Sequence, residues 1–327
     1  MATVGTADKA RARRGRTTAA LLAAAVAASL AAGCTSGDGP KGDGRGADRE
    51  PGHSRAAEGP VLAVKIDNSR RARPHTGLNS ADLVYVEQVE GGMSRLMAVY
   101  ASKLPKDVGP VRSARETDLE LLRQFRQPVL AFSGAQSKLM PLIGAAPLRA
   151  EPPGRTSDAY HRDTTRPAPH NLYLRPSALL PEAPGAAALT TGFSYGPAPE
   201  GGTADTSETV RYPAARFTFT WSASRAGWLV SMDGEDTTTT DAGRVAPATV
   251  VVQYVTLRKS DYYDSLGNNT PFTETVGKGR AKVLRDGKAF DVTWSRPTAT
   301  DGTRFTTEDG ERVDFAEGQV WVVFAKA

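Results

Sequence analysis

A chain of 327 residues, 39% hydrophobic and 24% charged, has the ordinary composition of a soluble globular protein and length for about two domains, each with a sizeable core. Its formal charge of +5 is concentrated at the start: Lys9, Arg11, Arg13, Arg14 and Arg16 against Asp8 place about +4 ahead of Gly33. The remainder is nearly neutral, and no segment interleaves a Lys/Arg run with aromatics, which excludes a nucleic-acid-binding face.

The first residues read as an export signal, with a basic segment, an apolar run from Ala19 to Ala32, and then Gly33-Cys34. That run is too short and too Ala-rich for a permanent membrane span. Arg13-Arg14 is followed by Gly-Arg-Thr and not by apolar residues, so it is a weak twin-arginine signal. Cys34 is the only cysteine, which rules out a disulfide within the chain. Leu30-Ala-Ala-Gly-Cys34 resembles the bacterial lipobox and predicts cleavage before Cys34 with lipidation of its sulfur. The expected location is the outer face of the cytoplasmic membrane, anchored through that lipid. Residues 35–59 are Gly-rich and polar and read as a flexible tether of on the order of 25–30 Å.

Residues 60–195 read as a mixed α/β sandwich. Val61 to Ile66 is a short apolar strand ending on Asp67-Asn68. Asp82–Val89 and Met93–Tyr100 alternate as two strands around Gly91-Gly92, a two-residue hairpin signal. With Glu90 opposite Met93, Glu90 and Arg95 become diagonal partners and Glu87 is left as the lone charge on an apolar face. Arg73, Arg112 and Arg115 are the candidate partners for that carboxylate. Ser113 and Glu116 form a capping box that predicts a helix from Ala114 to about Arg126. Arg112 and Arg115 then lie at its positive end, where negative charge is favoured. Pro128–Phe132 reads as a further strand, Gln136 to Ile143 as a helix, and Leu148–Arg175 as an ordered loop over the domain. In a sheet of this class Asp67-Asn68 and Ser133-Gly134 fall beyond the carboxyl ends of parallel strands, where ligands gather.

Residues 196–208 read as a linker and 209–327 as a smaller, mainly antiparallel β domain, a twisted sheet or partly closed barrel. Phe217, Phe219 and Trp221 alternate with Thr; Asp286-Gly287 and Asp309-Gly310 mark hairpins; Gln319–Ala325 is a closing apolar strand. Trp294 and Trp321 are expected to fill the core.

Lys65-Ile-Asp-Asn, Arg73-Pro, Gly77 to Tyr85, Val89-Glu-Gly-Gly, Val108 to Arg115, Pro169-His-Asn-Leu-Tyr, Val250-Val-Val-Gln, Gly277 to Ala281 and Trp294-Ser-Arg together resemble the YerB-like bacterial lipoproteins. The resemblance covers most of the chain after the tether. That family has unknown function, so the resemblance implies an architecture in two parts and carries no catalytic residue.

No metal-ligand spacing, phosphate-binding loop, dinucleotide glycine fingerprint or nucleophile elbow is present, and no cofactor is predicted. Three readings remain open. The first is a binding lipoprotein that holds an anionic or peptide-like cell-envelope ligand near Asp67, Asn68, Arg73, His75, Arg112, Arg115, His170 and Asn171. The second is an envelope hydrolase or transferase with Glu87 or Glu90 as acid/base and His170 assisting. The third makes the cluster a buried ion-pair network, with function in protein contacts.

Overall fold

The structure, a computed structural model, describes residues 59–264 and 266–327. The predicted signal, Cys34 and nearly all of the tether lie outside the described residues.

Ten strands, labelled along the chain, make the main path of one sheet: β1 (Leu62–Asp67), β2 (Leu83–Gln88), β3 (Ser94–Tyr100), β4 (Val129–Ala131), β5 (Arg149–Glu151), β6 (Thr249–Val255), β7 (Gly277–Arg285), β8 (Lys288–Arg296), β9 (Arg304–Thr306) and β10 (Val320–Lys326). Their order is β9-β8-β7-β6-β10-β2-β3-β1-β4-β5, and the short strand Thr203–Ala204 adds to β8 as the eleventh. β10 pairs parallel with both β6 and β2, so the end of the chain is the link between the two halves. The described protein is mostly strand with few helices: α1 (Glu116–Leu121) and α2 (Met140–Ala145) have six residues each.

The first half has more strand and less helix than an α/β sandwich, and the two halves share one sheet. The apolar segment Val320–Ala325 is buried on both faces, which favours a central position in a sheet. Two edges, β2 from the first half and β6 from the second, are available to receive it. One face of the sheet is covered by a four-stranded antiparallel sheet (Ser207–Tyr212, Ala215–Ser222, Gly227–Met232, Glu235–Asp236), whose Phe217, Phe219, Trp228 and Val230 pack on Val84, Val86 and Leu96. Leu121, Leu122, Phe125, Leu139 and Ile143 cover the other face with Tyr85, Met97 and Val99. Trp294 and Trp321 are buried, as expected of core fillers.

The hairpin register is one residue away from the expected one. Glu87 pairs with Arg95 and Gln88 with Ser94, because the turn has three residues, Glu90-Gly91-Gly92, closed by the Val89 N–H donating to Met93 O at 2.8 Å. Gly91 (φ 63°) and Gly92 (φ 70°) both take the left-handed region, and a Cβ on Gly92 would meet Pro213 at 2.5 Å. A slip of one position moves every side chain to the opposite face. Glu87 and Arg95 therefore share the face of Tyr85 and Met97, whereas the expected pairing had put Glu87 beside Ser94 and Leu96.

The helix also begins later than its expected box. Ala114 donates its N–H to Gly134 O (2.9 Å), which holds the preceding segment extended. Arg115 is the N-cap, and Asp118, three residues on, accepts its backbone N–H at 2.7 Å. At six residues the helix offers little aggregate dipole, so the expected anion site at its tip has no support from this element.

Candidate functional site

The carboxyl end of β1 organises the site. β4 runs parallel to β1 through Val64, and beyond it Pro110–Arg112 takes the same edge: Asp67 N–H donates to Pro110 O (2.9 Å) and Arg112 N–H to Lys65 O (2.7 Å). Ser133 N–H then donates to Arg112 O at 3.0 Å. The loops after β1 and β4 thus meet where the parallel-strand argument had put them, with the arginine-bearing segment between.

The innermost layer is an ion-pair cluster. Lys65, fully buried on β1, pairs with Glu87 of β2 and with Asp118 of α1, the latter at 2.7 Å. Burial pulls the Lys65 ammonium down to about 8, against Asp118, which holds it up. The partner of Glu87 is therefore Lys65, and none of the three arginines expected from sequence. A lysine within the apolar run Val61–Ile66 was the signal for it, since a buried strand accepts a charge only with a counter-charge.

The next layer out faces a cleft of about 620 Å³ between the two halves of the chain. Arg95, 6% exposed, lines it in register between Asp67 of β1 and Glu87 of β2. Its one hydrogen bond is long, from Nη1 to Ser113 O at 3.5 Å, and no carboxylate oxygen among the described residues is within ion-pair distance. Burial, with Arg115 and Arg112 nearby, draws the Arg95 guanidinium down to about 10 against Asp67 and Glu90, which hold it up, and it stays charged at neutral pH. Arg112 also lines the cleft, with its Nε buried and without a hydrogen-bond partner, 3.4 Å from Asp67 Oδ2. Arg115 is neutralised by Glu90 in a two-point contact of 2.6 and 2.8 Å. The Thr270 hydroxyl donates to the same carboxylate. Burial pushes the Glu90 carboxyl up, but Arg115 and Thr270 outweigh it and hold it below its ordinary value. Glu116, half-buried on the cleft wall, leaves Oε2 without a partner, and burial raises its carboxyl.

Asp67, with His170, does not line the cleft and stands beside Arg112. Its carboxylate accepts from Ser69 N–H (3.1 Å) and meets His170 Nδ1 at 2.7 Å, with Ser69 Oγ 3.1 Å from the same nitrogen. Burial pushes this carboxyl up, while Arg95, the Ser69 N–H, His170 and Arg112 together bring it below the usual carboxylate range.

Other sequence candidates hold loops and do not line this cleft. Asn68 Nδ2 donates to Ser94 Oγ (2.9 Å). Arg73 ties Asn68 to Asp233 of the four-stranded sheet, 2.9 Å away. Asn171 receives Arg162 at 2.7 Å and donates to Asp163 and Arg166 carbonyls. Glu87 is closed off by Lys65. Arg95 and the far wall, supplied by the hairpin Leu257–Tyr263/Asn269–Thr273 with Tyr262, Tyr263 and Thr270, were missed. The register error had turned Arg95 toward Glu90, and nothing local in the hairpin sequence says what it docks on.

His75 is fully buried, its Nε2 donating to Asp67 O at 2.8 Å and its Nδ1 unpartnered. Burial lowers the imidazole from 6.5 to about 4, so the unfolded chain takes up the proton first as pH falls. Stability from this group is complete above pH 6.5 and lost on the way to pH 4, by on the order of 3 kcal/mol. Urea unfolding at pH 7 and pH 4.5 should show that loss, and a His75→Gln variant should show a smaller difference between the two pH values.

The chain matches two family models in tandem: "Protein of unknown function (DUF3048) N-terminal domain" over residues 48–189 and "Protein of unknown function (DUF3048) C-terminal domain" over residues 208–322. It is 25% identical over 281 residues to "Putative lipoprotein YerB" of Bacillus subtilis (strain 168), covering 80% of each chain. The fold is similar to the crystal structure of the YerB protein from Bacillus subtilis, with a TM-score of 0.69 at 19% identity over 85% of this chain and 94% of that one. Between them the two models span the sheet that both halves build and the cleft that lies between those halves, and the protein is a member of the YerB-like DUF3048 family.

Proposed function

We propose that this protein is a lipoprotein, anchored at the outer face of the membrane through Cys34, whose cleft binds an anionic cell-envelope ligand. The name of its Bacillus relative and the signal-like first residues support the anchor. One observation carries the binding reading: Arg95 is almost wholly buried yet unpaired by any carboxylate among the described residues, and it faces a cleft. The charges of Asp67 and Glu90 act on this guanidinium, but no carboxylate oxygen makes a direct bond to it, and an anion entering the cleft would supply that bond. Arg112, with an unpartnered Nε, supplies a second donor.

The acid/base reading has less support. Glu87 and Glu90 are committed to Lys65 and Arg115, and neither carboxylate is left open to a substrate. The purely structural reading accounts for the Lys65 cluster and for Arg115, but leaves Arg95 without a direct carboxylate partner among the described residues.

Calorimetry of the intact chain with inorganic pyrophosphate tests the site. Arg112→Ala should weaken binding about 10-fold or more, because a charge-assisted hydrogen bond contributes about 1.5–3 kcal/mol, with only a small loss of thermal stability, since Ser69 and His170 still bond Asp67. Affinity should also fall with added salt. Pyrophosphate binding that is absent, or unaffected by both Arg112→Ala and Arg95→Met, would remove the anion site.

A further inference from the structure

The mouth of the same cleft differs in chemistry from its floor. Met93 is 43% exposed, Tyr263 50% and Leu266 84%, and all three line the opening. Met93 follows the Glu90–Gly92 turn, and Tyr263 and Leu266 flank the tip of the hairpin that forms the far wall. Deeper in, Leu139 and Ala135 continue an apolar wall toward the guanidinium groups. Single exposed apolar side chains are ordinary on a protein surface, but these three come from two segments distant in the chain and line one cleft with Arg95, which no carboxylate contacts directly, and Arg112, whose Nε has no hydrogen-bond partner. A free inorganic anion would use the floor alone. A ligand that uses both parts has a negative head and an apolar body.

Resting on the anion-site reading, we propose that the occupant is a phosphate-headed single-chain lipid, its head on Arg95 and Arg112 and its hydrocarbon against Met93, Tyr263 and Leu266. The direction is set by burial: Arg95 on β3 is 6% exposed and Arg112, beside the end of β1, 27%, whereas Met93, Tyr263 and Leu266 are 43–84% exposed, so the chain of the lipid leaves through the more exposed side. For a membrane-anchored protein such a ligand is delivered by the bilayer itself.

The test compares two probes on the full-length Cys34→Ser chain, which keeps a protein-bound acyl group from competing. Inorganic phosphate reads the floor, and dodecyl phosphate kept below its micellar concentration reads floor and rim together. Dodecyl phosphate should bind at least roughly 30-fold more tightly, since several buried methylenes contribute. Tyr263→Ser with Leu266→Ser, both exposed positions, should abolish that gain and leave phosphate affinity unchanged, whereas Arg112→Ala should weaken both probes. Phosphatidylcholine vesicles doped with lysophosphatidic acid should retain the chain, and dodecyl phosphate should displace it. Equal affinity for the two probes, or a gain that survives the rim substitutions, overturns the lipid proposal while the anion site stands. Failure of both probes to bind overturns the anion site as well.

Discussion

Replacing Lys65 by methionine is expected to destabilise the protein by about 3–5 kcal/mol, because two carboxylates stay buried without their shared cation. Lys65 is fully buried, with Glu87 3% exposed and Asp118 0% exposed. Methionine fills the aliphatic volume, so the loss is electrostatic and not one of packing. Asp118 has a second task, accepting the Arg115 N–H that opens α1, so its displacement should also fray the segment that brings Arg115 to Glu90. Urea unfolding of the single variant should show a lower midpoint. A triple variant, Lys65→Met with Glu87→Gln and Asp118→Asn, should recover much of the loss, since neutral amides carry a smaller desolvation penalty. A single variant within about 1 kcal/mol of the parent would mean that water reaches the cluster.

Arg296→Met is expected to have the next largest effect, about 3–5 kcal/mol, through a different mechanism. Arg296 is 1% exposed and spends its donors on five acceptors: the carbonyls of Asp301 (3.0 Å), Glu120 (3.0 Å), Leu121 (3.3 Å) and Ala299 (2.6 Å), and the Thr275 hydroxyl (2.8 Å). Glu120 and Leu121 end α1, so one guanidinium joins the helix of the first half to β8 of the second. Removing it takes a charged donor from all five acceptors. Leu121 O keeps the Gln124 amide (2.8 Å) and Glu120 O keeps the Leu122 N–H, but the Thr275 hydroxyl and the Asp301 and Ala299 carbonyls lose theirs, and each charge-assisted hydrogen bond lost costs about 1.5–3 kcal/mol that relaxation partly recovers. Lysine should rescue less than half of the loss, because an ammonium lacks the planar fork that reaches separated carbonyls. Urea midpoints of the two variants check the size of the effect, and faster amide exchange across Glu116–Gln124 checks where it acts.

The first effect arises between β1, β2 and α1 of the first half and the second at the junction of the halves, and both depend on contacts between distant segments, where the sequence was least readable. Within each half local chemistry was a good guide. Asp286-Gly287 joins β7 to β8 with both residues at positive φ (53° and 73°), as a two-residue turn requires. The alternation of Phe217 and Phe219 with threonines gave a strand with one buried face. The ending of β1 on Asp67-Asn68 beside the Ser133-Gly134 loop followed from parallel pairing of β1 with β4. Family resemblance, carried by motifs scattered through both halves, was legible without any geometry.

The candidate site was legible only in outline. Asp67, Arg112, Arg115, His170 and Glu90 do gather around the end of β1, but Asn68, Arg73, His75 and Asn171, equally polar in sequence, serve the loops behind it. Composition marks a polar residue, not which way a loop points it.

By itself the sequence determined the periodic strands, the Asp-Gly turns and the polar ends of buried elements, because each depends on residues a few positions apart. The tertiary structure decided three things. A third turn residue set the hairpin register and turned Arg95 inward, Lys65 became the counter-charge for two carboxylates from other elements, and β10 entered between β2 and β6. All three depend on which distant segments meet, and burial free energy is gained by the assembled sheet as a whole and not by any stretch that a local pattern can reveal.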